Sequence, residues 1–441
     1  MKFVFPATGA SEKLLISENR IKGGFQGDVG GIGGSGVQSE IYFRRTAFPP
    51  TLYKEESIVI YFDNAATTGV KPKSVVRAVN FALENLSANP GRSGHKISVG
   101  AAETVYKARE KLSDFFGSDG PETVVFTQNC THAVNCVLKG LLKKGDHCII
   151  SSLEHNAVVR PLVKTGVSFS VAEVSLTDDG KTVENFKSKI KPNTKLIFCT
   201  GASNVLGKIL PIEEIGKICR EKGIYFGVDA AQTAGVLPID MKKQNIDFLC
   251  IAPHKGLYAP MGIGVLIARK PLPDTIIEGG TGTNSSELFQ PAFLPERLES
   301  GTVNVPGIAG IMGGLEFVKS KGIDSLYMEE LRLVQRLYKS LEDNGDIILY
   351  TPYPTVGMYV PLLTFNVKDV SSYEVASMLA DNGIAVRGGL HCAPFAHRQI
   401  GTLEVGTVRV AVGYFNNFSQ VDVFAKILKR NLLKFRKKIV E

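Results

Sequence analysis

An α/β fold, with a mostly parallel central sheet and a smaller C-terminal α/β unit, is the architecture this sequence predicts. Three observations carry that prediction. From Ile58 onward, short apolar runs alternate with amphipathic stretches, as in a sheet flanked by helices. After about residue 310 the rhythm changes to a long helical stretch followed by shorter strands. And 441 residues are too many for one ordinary core, so two or three structural units are expected.

In order along the chain, strands are expected at 123–127, 147–151, 195–200, 224–229, 247–252 and 263–268. Helices are expected between them near 101–116, 131–143, 155–163, 183–190 and 211–222. The last shows the logic: Pro211 suits a first helical position, Glu213 and Glu214 come early, and Arg220 and Lys222 come late, as the helix dipole favours. Such an alternation puts ligands at the C-terminal ends of the strands. Later strands are expected near 361–367, 384–387 and 407–412. The domain reading is therefore a large domain over 75–310, with 58–74 and 311–441 forming a small one.

Residues 1–57 differ in kind. Eight of the fourteen residues from Gly23 to Gly36 are glycine, too little apolar surface to offset ordering entropy, so a flexible extension is expected. At the other end, Ala425–Glu441 holds seven Lys/Arg against one acid, with Leu428, Leu432, Leu433 and Phe435 at roughly helical spacing. That reads as an amphipathic helix with a solvated basic face rather than a nucleic-acid surface. No apolar run approaches the ~18 residues that span a bilayer. The seven cysteines are unclustered and form neither a disulfide framework nor a zinc pattern, which fits a reducing cytoplasm.

Two segments carry chemistry. Lys255 follows the apolar run 248–252 and His254, and an unpaired ammonium there is costly. The position makes sense for an amine that loses its charge to bond a carbonyl. Twenty-six positions upstream, the run 224–228 ends in Asp229. An Asp and a Lys ending consecutive strands match the needs of pyridoxal 5′-phosphate (PLP), pairing with the ring nitrogen and holding the aldehyde. Phe126–His132 joins a strand to a helix whose N-terminus, with Thr131, would cradle a phosphate. His155 could stack on a planar ring, and Asn204 and Gln232 could supply hydrogen bonds. In the second segment, Cys392 lies in a glycine-containing turn near Arg387 and His391, where cations would favour the thiolate. Arg409 is a strand-borne guanidinium suited to bidentate capture of a carboxylate.

Taken together, Tyr61–Thr68, Glu154-His155, Ser203–Gly207, Val228–Gln232, His254-Lys255-Gly256, Gly301–Asn304 and Arg387–Ala393 resemble the ordered motifs of the class V aminotransferase-fold cysteine desulfurases. The short span from Cys392 to Arg409 resembles their group II branch, which also contains selenocysteine lyases. The resemblance covers residues 60 to about 420. It implies the type I PLP-dependent transferase fold and a homodimer. By the same resemblance, Lys255 carries PLP, His155 covers the ring and moves protons, and Asp229 and Gln232 bind the ring nitrogen and hydroxyl. Thr131 and His254 match phosphate ligands, Cys130 stands where many members have Thr, and Thr302 matches a residue that reaches the neighbouring subunit's phosphate. Asn204, Arg387 and Arg409 fall in the substrate-binding region, and Cys392 matches the nucleophile that becomes a persulfide. The implied substrate is L-cysteine, or L-selenocysteine in a lyase, with sulfur passing to a small thiol or an acceptor protein. An ordinary class V aminotransferase and a catalytically idle scaffold in a sulfur-transfer complex are the rival readings. The chain departs from the family at Ala252-Pro253, where Ser or Thr usually stands two residues before the His-Lys pair.

Overall fold

The computed structural model describes residues 59–440; the glycine-rich segment expected over 1–57 lies outside them. A short strand β1 (Ile60–Tyr61) leads into helices α1 (Lys73–Asn85) and α2 (Lys96–Phe116). Then follow β2 (Val124–Thr127), α3 (Cys130–Leu141), β3 (His147–Ser151), α4 (Asn156–Thr165), β4 (Ser168–Ala172) and α5 (Asp179–Ser188). They are succeeded by β5 (Thr194–Thr200), α6 (Ile212–Lys222), β6 (Tyr225–Asp229), β7 (Phe248–Ile251) and β8 (Gly264–Ala268). Strands β2 to β8 form one seven-stranded sheet in the order β2-β8-β7-β6-β5-β3-β4, in which only β8 runs against its neighbours.

The central strands are buried along their whole length, as expected of a sheet covered on both faces. Side chains alternate between two cores: Ile149, Ile197, Phe226 and Leu249 face one, and Cys148, Ile150, Phe198 and Cys250 face the other. Each fully buried Phe or Ile contributes about 1.5–3 kcal/mol of transfer free energy. Because β3, β5, β6 and β7 are parallel, the ends at Ser151, Thr200, Asp229 and Ile251 share one edge of the sheet. The local rules for helix ends hold around that edge. Asn129 caps α3 by accepting from the His132 N–H at 2.9 Å, and His155 caps α4.

Strand β4 and helix α1 were not among the elements expected from sequence. Strand β4 is an edge strand with half-exposed residues, so its apolar signal is weak. Helix α1 buries only Val75 and Ala82, on a face that packs against α7 (Val305–Lys321).

Beyond α7 come α8 (Ile323–Leu341), β9 (Ile347–Leu349), β10 (Leu362–Val367), α9 (Ser372–Asp381), β11 (Ile384–Ala385), β12 (Arg387–Gly389), α10 (Pro394–Gln399), β13 (Thr407–Ala411) and α11 (Phe418–Val440). An antiparallel sheet in the order β12-β13-β10-β9 packs its Leu363, Phe365, Val408 and Val410 against Phe424 and Leu428 of α11. The strand expected over 384–387 divides at Val386. Its first half pairs parallel with β1, and its second pairs antiparallel with β13. Through β1, the segment 60–71 is thus tied to the C-terminal part of the chain.

Candidate active site

Strand β6 delivers Asp229 to the shared edge, 3% exposed, with Oδ1 accepting from the Ala231 N–H at 2.9 Å. Strand β7 ends at Ile251, and a turn closed by the Lys255 N–H donating to the Ala252 carbonyl presents His254 and Lys255. Gly256 follows because the backbone of the 234–236 turn passes there, and a Cβ would overlap the Ala234 carbonyl. The Lys255 amine has no hydrogen-bond or ion-pair partner among the described residues. Loss of hydration pushes its ammonium below the ordinary lysine range, and Asp229 only partly opposes this. Such an amine is poised to be a neutral nucleophile.

His155 sits at the start of α4, its Nδ1 accepting from the Ala157 N–H at 3.0 Å. That bond leaves the proton of the neutral ring on Nε2. Burial lowers its pKa, with Asp229 pulling the other way. Beside it, Glu154 is fully buried. Its Oε1 accepts from the Ser151 hydroxyl and, at 2.9 Å, from the Thr200 N–H, while Oε2 has no partner. Burial drives this carboxyl up to about 8, so it stands protonated at neutral pH. His254 is pushed down to about 4 by burial and by the cations of Lys255 and Lys71. Its Nδ1 is buried without a partner.

The N-terminus of α3 points toward this group. Thr131 is exposed there, whereas the Cys130 thiol turns inward and donates to Asp229 Oδ1 at 3.6 Å. Burial, reinforced by Asp229, holds that thiol well above its usual pKa, so it stays protonated. Cys130 therefore contacts the Asp229 carboxylate and does not face outward with Thr131. Gln232 donates to the Ala65 carbonyl at 3.1 Å. Lys255, Gln232, Ala65 and Thr68 line a cavity of about 50 Å³ together with Tyr258 and Glu330. A second cavity of about 680 Å³ lies between α5 and α6 and is lined by none of the candidate residues.

Arg409 is 1% exposed on β13. It donates through Nη1 to the Asn204 carbonyl at 2.9 Å and through Nη2 to Asp63 at 2.7 Å, while Nε is unpaired. Asn204 in turn donates to the His391 carbonyl at 2.8 Å. Cys392 is exposed, with Sγ 4.0 Å from Arg387 Nη2. Its carbonyl accepts from the Asn156 N–H at 2.7 Å, which docks the cysteine loop beside His155. His391 and Cys392 both adopt left-handed backbone angles, with φ of 48° and 58°. Two such non-glycine residues in succession cost of order 1–3 kcal/mol each, a strain characteristic of functional turns.

One expectation needs correction. His391 is not a cation beside Cys392: it is 2% exposed, donates through Nε2 to the Thr407 carbonyl at 3.0 Å, and is driven down to about 2 by burial. Arg387 is the cation next to the thiol. Thr302 is exposed, its hydroxyl accepting from the Asn89 amide at 3.3 Å. Sequence reasoning missed Lys71, whose amine lies 3.1 Å from the His254 carbonyl, and the pairing of Asp63 with Arg409. The one available signal for Lys71 was its place directly after the 61–68 motif and before Pro72.

These groups fit PLP: an unpaired amine for the aldehyde, a buried carboxylate for the ring nitrogen, and an orphaned buried His254 nitrogen for the phosphate.

Comparison with known proteins follows the same line. The family model described as aminotransferase class-V matches residues 60–424. A probable cysteine desulfurase of Pyrococcus abyssi is 35% identical over 84% of this chain and 94% of its own. One of Borreliella burgdorferi is 30% identical over 89% of this chain and 96% of its own. Among solved structures, the apo cysteine desulfurase of Thermococcus onnurineus NA1 superposes with a TM-score of 0.78 at 32% identity, covering 85% of this chain and 95% of that one. The cysteine desulfurase CsdA (S-sulfonic acid) of Escherichia coli gives 0.76 at 26%, covering 86% and 95%.

Proposed function

This chain belongs to the class-V aminotransferase family, and we propose that it is a PLP-dependent cysteine desulfurase converting L-cysteine to L-alanine and leaving the sulfur on Cys392. The observation that carries this reading is the exposed Cys392, set in a strained turn beside Arg387 and bonded through its carbonyl to the start of α4 next to His155. A transaminase needs no such thiol.

Lys255, Asp229, Gln232 and His155 would hold the aldehyde, ring nitrogen, ring hydroxyl and ring face of PLP. Thr131 and His254 would lie on its phosphate side, with Cys130 against the Asp229 carboxylate and Thr302 serving a second copy of the chain. When bound, PLP would supply an electron sink for the electron pair left when the substrate's α-proton is removed. Arg409 and Asn204 would take the substrate carboxylate, with Arg387 at the mouth of the site. Lys255, with its depressed pKa, would carry the α-proton, and His155 would shuttle a second through Nε2. Cys392 attacks the substrate sulfur: a new S–S bond forms as the Cβ–S bond breaks, and the released carbon takes a proton to become alanine. Cysteine and enzyme thiol thus become alanine and enzyme persulfide, with no outside oxidant.

The persulfide then passes to a small thiol or an acceptor protein. Leu288 and Phe289, 98% and 88% exposed, with Phe81 and Leu83 on α1, support a homodimer in which each copy covers the other's apolar surface. The division into a large domain over 75–310 and a small one from 58–74 and 311–441 would let the Cys392 turn move over a bound substrate. No described helix is long and apolar enough to cross a membrane.

Mass spectrometry after addition of L-cysteine tests the reading. It is expected to find one extra sulfur on Cys392, with one alanine released per sulfur. Cys392→Ala is expected to keep PLP and lose at least about a hundredfold in alanine release. Wild-type alanine production by that variant would refute the persulfide route.

A further inference from the structure

The carbonyl of His254, which belongs to the peptide immediately before Lys255, is held by four donors from one short segment. They are the Thr68 N–H at 3.2 Å, the Thr68 hydroxyl at 3.1 Å, the Thr67 hydroxyl at 3.2 Å and the Lys71 amine at 3.1 Å. Three of these are ordinary neutral donors. The fourth is a half-buried ammonium that, among the described residues, has no carboxylate partner and is bonded otherwise only to the Thr68 hydroxyl at 2.5 Å. Removing its hydration without a counter-charge is costly, and it lowers the Lys71 pKa to about 8. A helix-capping or surface role would not need that cost, since α1 begins two residues later with no acid in its first turn. The same segment reaches the other side of the site, through Asp63 on Arg409 and through the Ala65 carbonyl on Gln232.

We propose that Lys71 is a positioning residue: with Thr67 and Thr68 it anchors the His254 carbonyl and so fixes the turn that presents His254 and Lys255 to the cofactor. The assignment rests on the PLP-enzyme reading for what the turn presents. The geometry of the anchor is independent of which substrate follows. A charge-assisted hydrogen bond is about twice as strong as a neutral one, so Lys71 is the member of the four whose loss the turn should feel most. Its cation also repels a proton from His254, keeping that ring neutral and its orphaned Nδ1 available to a ligand.

The test compares Lys71→Met, Lys71→Gln and Lys71→Arg in the full chain, with PLP itself as the probe. Three quantities are read: the PLP dissociation constant by fluorescence titration, the pH midpoint of the visible absorption of the bound cofactor, and the melting temperature of the cofactor-free protein. Lys71→Met is expected to weaken PLP binding by about ten- to a hundredfold. It should also raise the pH midpoint, because a cation beside the Lys255 turn has gone. Lys71→Arg is expected to restore both, and Lys71→Gln, which keeps a donor but not the charge, to restore the affinity in part and the midpoint not at all. The cofactor-free melting temperature should move little in any of them. Unchanged affinity and midpoint in Lys71→Met would overturn the proposal. So would a loss of affinity that follows the melting temperature and is not rescued by Arg. If Lys71→Met fails to fold, Lys71→Gln against Lys71→Arg decides the same question. Absence of desulfuration with normal PLP binding would instead strike the functional reading and leave this one standing.

Discussion

The ion pair between Asp63 and Arg409 joins the segment after β1 to strand β13, and it sets a measurable stake. Arg409 is 1% exposed, and its Nη2 lies 2.7 Å from Asp63 Oδ1, the side chain of which is 20% exposed. Burial pulls Arg409 below the usual arginine range, and Asp63 is the main group opposing that pull. Asp63→Asn would keep the shape and a weaker acceptor but leave a buried guanidinium uncompensated, with Arg387 repelling it nearby. Breaking one side of a buried pair costs about 3–5 kcal/mol; the partial exposure of Asp63 puts this case near the lower figure, about 3 kcal/mol. For a chain of this size that is a fall of roughly 4 °C in melting temperature. Differential scanning fluorimetry on Asp63→Asn, Arg409→Met and the double variant is the assay. The double variant is expected to be more stable than Asp63→Asn alone, because removing both charges leaves neither stranded. A fall of under about 1 °C for Asp63→Asn, or simple additivity of the two changes, would refute the argument that the pair is what pays for burying Arg409.

Two further outcomes are expected. Folded Glu154 keeps its proton up to about pH 8, whereas the unfolded chain releases it near 4.5, so its contribution to stability is fullest below 4.5 and declines as pH rises to 8. Glu154→Gln, which mimics the protonated acid, is expected to gain on the wild type by a few kcal/mol between about pH 5 and pH 8, and parallel urea midpoints for the two proteins would contradict this. Gly314 lies inside α7, where Ala is ordinarily about 1 kcal/mol better, but a Cβ there would overlap the Leu257 carbonyl. Gly314→Ala is expected instead to destabilise by about 1–3 kcal/mol and to weaken PLP binding, since Leu257 is two residues from Lys255; a stabilised variant by thermal melt would overturn it.

Much of the fold was legible because the buried parallel strands write themselves as apolar runs: 224–228 and 248–252 stand out whatever surrounds them. What escaped was what the sheet does not bury on both sides. Strand β4 runs along an edge, α1 buries two residues, and the 384–389 stretch changes sheets within six residues. The site divides the same way. Lys255 and Asp229 could be found because each is a charge at the end of an apolar run, a local anomaly in one dimension. Lys71 is an equally costly charge, but its surroundings in sequence are polar and glycine-containing, and the burial that makes it anomalous comes from the His254 turn 183 residues away. His391 misled for the converse reason: its sequence neighbours are Arg387 and Cys392, while its actual partner is the Thr407 carbonyl on β13.

A common pattern connects the groups around Lys255. His155, His254 and His391 are pushed toward their neutral forms, Glu154 toward its protonated form and Lys255 toward the free amine, in every case with burial as the leading cause. Arg409 cannot discharge in this way, and it is the one given a direct carboxylate partner. A site built on these terms holds its histidines neutral, its buried acid protonated and its lysine amine uncharged, beside a guanidinium whose charge is fixed and can orient an anion. That combination suits proton transfer at the α-carbon of an amino acid held by its carboxylate. Cys392 stands in a different environment: its thiol is exposed, on a strained turn, with Arg387 rather than a histidine beside it, a setting suited to the thiol nucleophile proposed above. Bringing the two environments together over one substrate is then the work of the contacts that cross between them, from Asn156 to the Cys392 carbonyl and from Asn204 to the His391 carbonyl.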